Sequence, residues 1–221
     1  LPTPKRTATG SIHPYWPRDL LIPTYVANNK SMSEILAFLF SISGVFLLFT
    51  WVLTGQTGTK RSPGTLRRLA VCWFAVCGFI HGVIEGWFSL YYDIIPGDQS
   101  FLSQLCEYLT PKEITVTAWL WGPFSFWAVY AFLTNKSYRF VLQLIISVGQ
   151  LYGVVLYFFT EHRDGYAHSE LGHPVYFWFY YVFMNVLWVV IPMVLIVDSW
   201  RHLTVSQLNF DNAMTAKTKK N

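Results

Sequence analysis

A chain of 221 residues with 53% hydrophobic and only 13% charged residues is too apolar for a soluble domain, in which about a quarter of residues are charged. Several apolar runs of about 20 residues predict an all-α polytopic membrane protein, a bundle of five transmembrane helices. The net charge of +4 is small and spread over loops, and three cysteines are too few for a disulfide framework. We therefore expect no nucleic-acid partner and no fold based on disulfides.

The N-terminal segment, residues 1–32, is polar and rich in proline. Its motif HPYWP at residues 13–17 is typical of an anchor at the membrane interface, where Trp and Tyr are preferred. The segment lacks the apolar core and cleavage site of a signal peptide. Ser33 and Glu34 are expected to begin the first helix, which extends to about Leu53.

The second predicted helix contains the longest apolar run, LAVCWFAVCGFIHGVIEGWFSLYY at residues 69–92, and Thr65 is its expected cap. His81 and Glu85 lie in the middle of this run, and their spacing places both on one face of a helix. An ionisable residue at mid-membrane costs roughly 2.5–3.5 kcal/mol, so the pair needs a purpose or a partner. We interpret it as a functional site; the alternative is a buried polar contact between two helices.

The rest of the chain predicts three further helices separated by polar loops. An acidic loop is expected at residues 93–112. The last three helices are predicted at about residues 113–133, 140–160 and 175–200. Pro123 should kink the third helix, which membrane proteins tolerate. The resulting domains are an N-terminal lumenal segment at 1–32, a membrane domain at 33–200 and a polar, disordered tail at 201–221.

The distribution of positive charge predicts the orientation in the membrane. Five spans place the termini on opposite sides. The side with the first loop, the third loop and the tail has ten Lys and Arg, against six on the other side. The positive-inside rule then places the C-terminus in the cytoplasm. Lys217 and Lys219 resemble the cytoplasmic retrieval signal of endoplasmic-reticulum membrane proteins, which predicts that membrane as the location.

Few polar residues fall within the predicted spans, and they define the candidate site. They are His81, Glu85, Glu113, Thr117, Gln150 and Asn185. Two carboxyl groups and an imidazole in an apolar cavity can perform proton chemistry, because a buried carboxyl can stay protonated and act as an acid. Trp188, on the same helix face as Asn185, could present its ring to a positive charge. For Asn185, an interhelical hydrogen bond is as plausible as a ligand contact.

Seven motifs spread along nearly the whole chain indicate a family. They are HPYWP, CWFAVCGFIHGVIEGWFSLYY, FLSQL, LWGP, SVGQLYG, LYFFTEHRDG and HPVYFWFYYVFMNVLW. In these motifs the chain resembles the emopamil-binding protein family, the sterol Δ8–Δ7 isomerases of cholesterol biosynthesis. The resemblance implies a five-helix bundle of the endoplasmic reticulum, often a homodimer. It implies a reaction that moves a double bond of the sterol B ring by proton addition and removal through a carbocation, without a cofactor.

The resemblance also implies roles for particular residues and a set of ligands. The residues implied as catalytic are His81, Glu85 and Glu113, and those implied to bind the substrate are Thr117, Asn185 and Trp188. Glu85 is the expected acid and His81 its tuning partner. Glu113 would be the second carboxylate, and Trp188 would support the cation. The expected partners are the sterol substrate, lipophilic cationic amines that imitate the carbocation, and membrane lipid; no metal is expected.

The chain departs from the family pattern at three places. Anchored on LWGP, the catalytic Glu of the family aligns with Ile114, and Glu113 stands beside it. The second loop is shorter than usual, and Val154 replaces an expected Asp. We expect Glu113 to be charged at a helix N-terminus, where it reaches the cavity mouth. The alternatives are an impaired paralogue that binds sterols and amines without isomerising them, and a chaperone or receptor-like module of the same superfamily.

Overall fold

A computed structural model describes residues 13, 15, 20–56, 64–108, 117–166 and 171–219. Every regular element within these residues is helical, so the predicted all-α class is confirmed. Among the described residues, four helices are long and apolar enough to cross a membrane: Met32–Gln56, Thr65–Tyr91, Arg139–Arg163 and Phe177–Thr218. They correspond to the first, second, fourth and fifth predicted spans. The chain divides into two compact units, Leu1–Phe126 and Trp127–Asn221.

Helix α1 covers Met32–Gln56 and begins with a capping box. Glu34 Oε2 accepts the backbone N–H of Ser31 at 2.7 Å, and Ser31 Oγ accepts the N–H of Glu34 at 3.3 Å. This reciprocal pair satisfies two donors that the first helical turn leaves without partners. The helix therefore starts before the predicted Ser33, and Glu34 completes the cap.

Helix α2 covers Thr65–Tyr91 and changes its winding twice. It is α-helical over Thr65–Phe79, π-helical over Ile80–Glu85 and α-helical again over Gly86–Tyr91. The predicted cap was wrong, because Gly64 occupies the N-cap position and, among the described residues, no side chain caps the helix. The helix packs against α1. A buried cluster of the first unit contains Ile35, Phe79, Ile84, Ile95, Leu105 and Cys106.

The predicted acidic loop after α2 contains helix α3, Phe101–Tyr108, which the sequence analysis missed. Ser100 Oγ accepts the backbone N–H of Ser103 at 3.3 Å and thereby caps the new helix. Ser103 is fully buried, and its hydroxyl accepts the indole N–H of Trp87 at 3.0 Å. Burial of one face against α1 and α2 therefore stabilises a short helix within a polar segment.

Helix α4 covers residues 117–133 of the third predicted span. It is π-helical over Thr117–Trp121 and α-helical over Gly122–Leu133. Pro123 lies just after the change of winding. Since proline has no N–H, it removes one helical hydrogen bond at this point. The helix is irregular near Pro123, and the irregularity is the π-helical segment that precedes the proline.

The second unit contains helices α5 and α6, which pack along each other. Helix α5 covers Arg139–Arg163, and α6 is π-helical over Pro174–Met184 and α-helical over Asn185–Thr218. The two helices are antiparallel, since the Phe140 ring lies 4.0 Å from that of His202. At the other end of the pair, the Tyr157 and Tyr181 rings are 5.6 Å apart.

The prediction of a disordered tail was wrong, because α6 continues as an exposed helix to Thr218. The residues from Arg201 to Thr218 include no Gly or Pro that would end a helix. Side chains one turn apart also support it, as Gln207 Nε2 donates to Asp211 Oδ1 at 2.9 Å. Extending an existing helix needs no new nucleus, which explains why a polar sequence remains helical here.

Candidate functional site

The candidate site lies where two π-helical segments of the first unit pack against each other, Ile80–Glu85 in α2 and Thr117–Trp121 in α4. His81 Nδ1 lies 2.9 Å from Glu85 Oε2. The hydroxyl of Thr117 donates to the same carboxylate oxygen at 2.5 Å. Three predicted residues, one of them from a different helix, therefore meet at one carboxyl oxygen.

Burial makes these contacts stronger than they would be at a surface. The side chains of His81 and Glu85 are only 9% and 17% exposed. At low local dielectric, hydrogen bonds to a charged group strengthen, and leaving that group without partners becomes more costly. The Glu85 carboxyl group is therefore held by hydrogen bonds within the protein and is largely shielded from water.

The π-helical winding around Glu85 shapes the local backbone. The N–H of Gly86 bonds to the carbonyl of His81, five residues earlier, which is the π-type hydrogen bond. The carbonyl of Ile84 accepts a weak hydrogen bond from Cys106 Sγ at 3.6 Å. Helix α3 therefore contacts the backbone between the two site residues. Single π-helical turns of this kind are frequent at functional sites.

Helix α3 also holds a buried carboxyl group that the sequence analysis missed. Glu107 is only 7% exposed, and its Oε1 accepts the hydroxyl of Tyr25 at 3.0 Å. Burial raises the pKa of Glu107, and its hydrogen bond with Tyr25 opposes that rise. Burial likewise raises the pKa of the neighbouring Cys106 thiol to about 12.

A sequence signal for α3 was present in its apolar residues. Phe101, Leu102, Leu105 and Cys106 fall at the spacing of one helix face. That pattern would have placed Glu107 beside the buried face. The acidic, proline-containing surroundings favoured a loop instead.

Two further predicted residues lie in the second unit, at the start of the α-helical part of α6. Asn185 follows the π-helical segment directly, and its Nδ2 donates to the Tyr181 carbonyl at 2.9 Å within the same helix. Trp188 follows three residues later and is partly buried, as is Asn185. The helix confirms that the two share a face, while their predicted contact with substrate stays a prediction.

Glu113 and Ile114 lie at residues 109–116, outside the residues that the structure describes. The geometry of the second predicted carboxylate is therefore not part of the site described above. Thr117 is the first described residue after that gap.

The described residues are helical, with several apolar helices long enough to cross a membrane and a buried His–Glu–Thr centre, and they define the class of polytopic helical membrane proteins. The sequence profile of EXPERA (EXPanded EBP superfamily) matches residues 113–199.

Curated relatives match nearly the whole chain. The chain is 51% identical to the 3-beta-hydroxysteroid-Delta(8),Delta(7)-isomerase of Rattus norvegicus, over 95% of this chain and 97% of that protein. The Mus musculus protein of the same name is 51% identical over 97% of this chain and 99% of its own length. A probable isomerase of this name from Arabidopsis thaliana is 32% identical over 94% and 96%. This chain therefore belongs to the emopamil-binding protein family, as the sequence motifs predicted.

Proposed function

We propose that this chain is a sterol Δ8–Δ7 isomerase. The observation that supports the proposal most directly is the Glu85 carboxyl group, held by Thr117 and His81 inside an apolar helical unit. In such a reaction a proton adds to C9 of the C8=C9 double bond and leaves a cation at C8. Loss of a proton from C7 then forms the C7=C8 double bond. Protons and electrons balance, so no oxidant or reductant is required.

Glu85 is the group that we assign to proton delivery. Thr117 and His81 both contact Oε2, so we assign the proton for C9 to the other oxygen, Oε1. After delivery, the negative carboxylate keeps the Thr117 hydroxyl donor on Oε2. A fixed carboxylate next to a positive carbon stabilises the cation most effectively where water is excluded. Thr117 and His81 thus hold the charge that develops on Glu85.

A deuterium experiment tests this function. Membranes containing the chain receive a Δ8 sterol in deuterated water, and the products are analysed by mass spectrometry and NMR. We expect a Δ7 sterol with deuterium at C9. If the sterol binds but no Δ7 product forms in membranes that contain the intact chain, the impaired paralogue is the better description.

The second candidate function is sterol binding without isomerisation. It is favoured by one observation in the sequence: Glu113 lies one residue before the position of the family's catalytic Glu, which Ile114 occupies here. A shift of one residue rotates a helical side chain by roughly 100° about the axis. We nevertheless propose Glu113 as the group that collects the C7 proton from the cavity mouth, with weaker activity than a carboxylate in the family register would give.

The exchange of Glu113→Ile with Ile114→Glu restores the family register and tests this proposal. Because Glu113 would reach only the cavity mouth, we expect the double variant to raise Δ8–Δ7 turnover several-fold over the wild type. The single change Ile114→Glu is the control for added charge. Equal rates for the double variant and the wild type would mean that Glu113 already reaches the substrate.

Lipophilic amines are a second class of ligand that we propose. A protonated amine imitates a sterol carbocation, and the ring of Trp188 attracts a cation by roughly 0.5–2 kcal/mol. We expect Trp188→Ala to weaken amine binding about 2- to 30-fold, while neutral sterol binding changes less. Trp188→Phe, which keeps a smaller ring, is the matched control. Equal losses for amines and neutral sterols would leave only a packing role for Trp188.

We also propose a location and orientation, five spans in the endoplasmic-reticulum membrane with a lumenal N-terminus and a cytoplasmic C-terminus. The remaining span of the five is the one predicted from the sequence at about residues 113–133. A tag after Asn221 should be removed by protease added to intact microsomes, because the charge count places that end in the cytoplasm. A protected tag would reverse the orientation.

The homodimer is proposed from the resemblance alone. Light scattering of the protein in detergent should give twice the mass of one chain. A single-chain mass at micromolar concentration would remove this proposal.

A further inference from the structure

Helices α2 and α4 approach each other closely at two glycines, Gly82 and Gly122. A Cβ atom built on Gly122 would lie 2.7 Å from Gly82 Cα, 2.8 Å from Gly82 N and 3.3 Å from the carbonyl carbon of His81. Carbon atoms that are not bonded make their best contact at about 3.5–4.0 Å. The obstructing atoms belong to backbone and cannot rotate away. Position 122 therefore accepts only glycine at the present helix separation.

This contact lies beside the residues of the candidate site. Gly82 directly follows His81 in the π-helical segment of α2, and Gly122 directly follows the π-helical segment that begins with Thr117. The hydrogen bond from Thr117 to Glu85 spans the same gap between the two backbones. We infer that Gly122 is a positioning residue, whose missing side chain sets the helix separation at which Thr117 reaches the Glu85 carboxyl group.

The Thr117–Glu85 bond is sensitive to this separation. Its oxygens are 2.5 Å apart. Hydrogen bonds between oxygens extend to about 3.0 Å, so a displacement of the helices by about 1 Å removes the bond. An added Cβ at position 122 needs a displacement of that order to reach ordinary van der Waals distance. A methyl group at position 122 would therefore break the hydrogen bond from Thr117 to the Glu85 carboxyl group.

The two glycines are not equivalent, and this asymmetry makes the inference testable. A Cβ on Gly82 would lie 3.5 Å from Phe126 Cε2 and 3.7 Å from Gly122 Cα, which is ordinary contact. Gly82→Ala thus fits without moving either helix. A general requirement for small residues at a membrane helix contact would instead affect both glycines alike.

The experiment measures kcat and KM for a Δ8 sterol, so it rests on the proposed isomerase function. We expect Gly122→Ala to lower kcat about 10- to 100-fold, the effect of one hydrogen bond to a charged group, with KM changed less than about threefold. Gly82→Ala should stay within about twofold of the wild type. Gly44→Ala is the neutral control, because a Cβ there meets no atom of the described residues within 4 Å.

A double-mutant cycle separates this role from simple packing. In a Thr117→Val background, Gly122→Ala should lower kcat less than about threefold further, because the bond through which it acts is already absent. Additive losses, an effect on KM alone, or an equal loss in Gly82→Ala would overturn the inference. If Gly122→Ala does not accumulate in membranes, Gly82→Ala decides: normal turnover supports the asymmetry and lost turnover refutes it.

An infrared measurement tests the role of Gly122 without depending on the proposed isomerase activity. The infrared carboxyl stretch of Glu85 can be assigned by its disappearance in Glu85→Gln. Gly122→Ala and Thr117→Val should shift this band in the same direction, whereas Gly82→Ala should leave it in place. An unshifted band in Gly122→Ala overturns the inference. An inactive wild type with the expected band shifts removes only the isomerase proposal.

Discussion

Replacing Glu85 by glutamine is expected to lower Δ8–Δ7 turnover by about 10²–10⁴-fold, the usual contribution of a general acid or base. Glutamine has nearly the same shape and its amide oxygen can still accept the Thr117 hydroxyl, but it has no proton to deliver at neutral pH. Sterol binding should persist, because the apolar surroundings are unchanged. The measurement is the initial rate of Δ7 product formation, normalised to the amount of chain in the membrane.

Glu107→Gln is the matched control for this experiment. Glu107 is also a buried glutamate of the first unit, and its carboxylate accepts the hydroxyl of Tyr25. We expect this variant to keep turnover within about threefold of the wild type, since it removes a buried carboxyl without touching the acid. Full activity in Glu85→Gln would show that another group donates the proton.

The second large effect is expected for Thr117→Val, which removes the hydroxyl and keeps the branched shape. A hydrogen bond to a charged group contributes roughly 1.5–3 kcal/mol, so turnover should fall by about 10- to 100-fold. The loss should appear mainly in kcat, because the bond strengthens as Glu85 becomes negative after proton delivery. Steady-state kinetics with the Δ8 sterol checks this expectation.

Thr117→Ser provides the rescue arm, because it retains the hydroxyl while losing one methyl group. It should recover most of the activity that Thr117→Val loses. If serine and valine variants lose turnover equally, the methyl group and its packing matter more than the hydrogen bond to Glu85. In that case the 2.5 Å contact has no part in the chemistry.

The sequence by itself determined the local features of this chain. The His81–Glu85 pair depends only on a spacing of four residues within one apolar helix, and the structure places the two side chains 2.9 Å apart. The four long apolar helices could also be predicted from local composition and length, because helix geometry is set by residues close together in the chain.

Two helix ends differ from the sequence predictions, although local rules explain both of them. The polar residues after Arg201 suggested disorder, but a helix propagates from α6 because extension needs no new nucleus. The capping box at Ser31 and Glu34 was present in the sequence and moved the start of α1. These differences concern helix ends, where propensities on either side are nearly balanced.

Only the tertiary structure decided how the site is assembled. Thr117 and Glu85 are 32 residues apart, and no local rule fixes how closely their helices approach. Their meeting depends on a backbone contact between Gly82 and Gly122, which belong to different helices. Helix α3 with its buried Glu107 likewise exists because its apolar face packs against α1 and α2. Such contacts depend on the shapes of two surfaces at once, and spacing along one chain describes only one surface at a time.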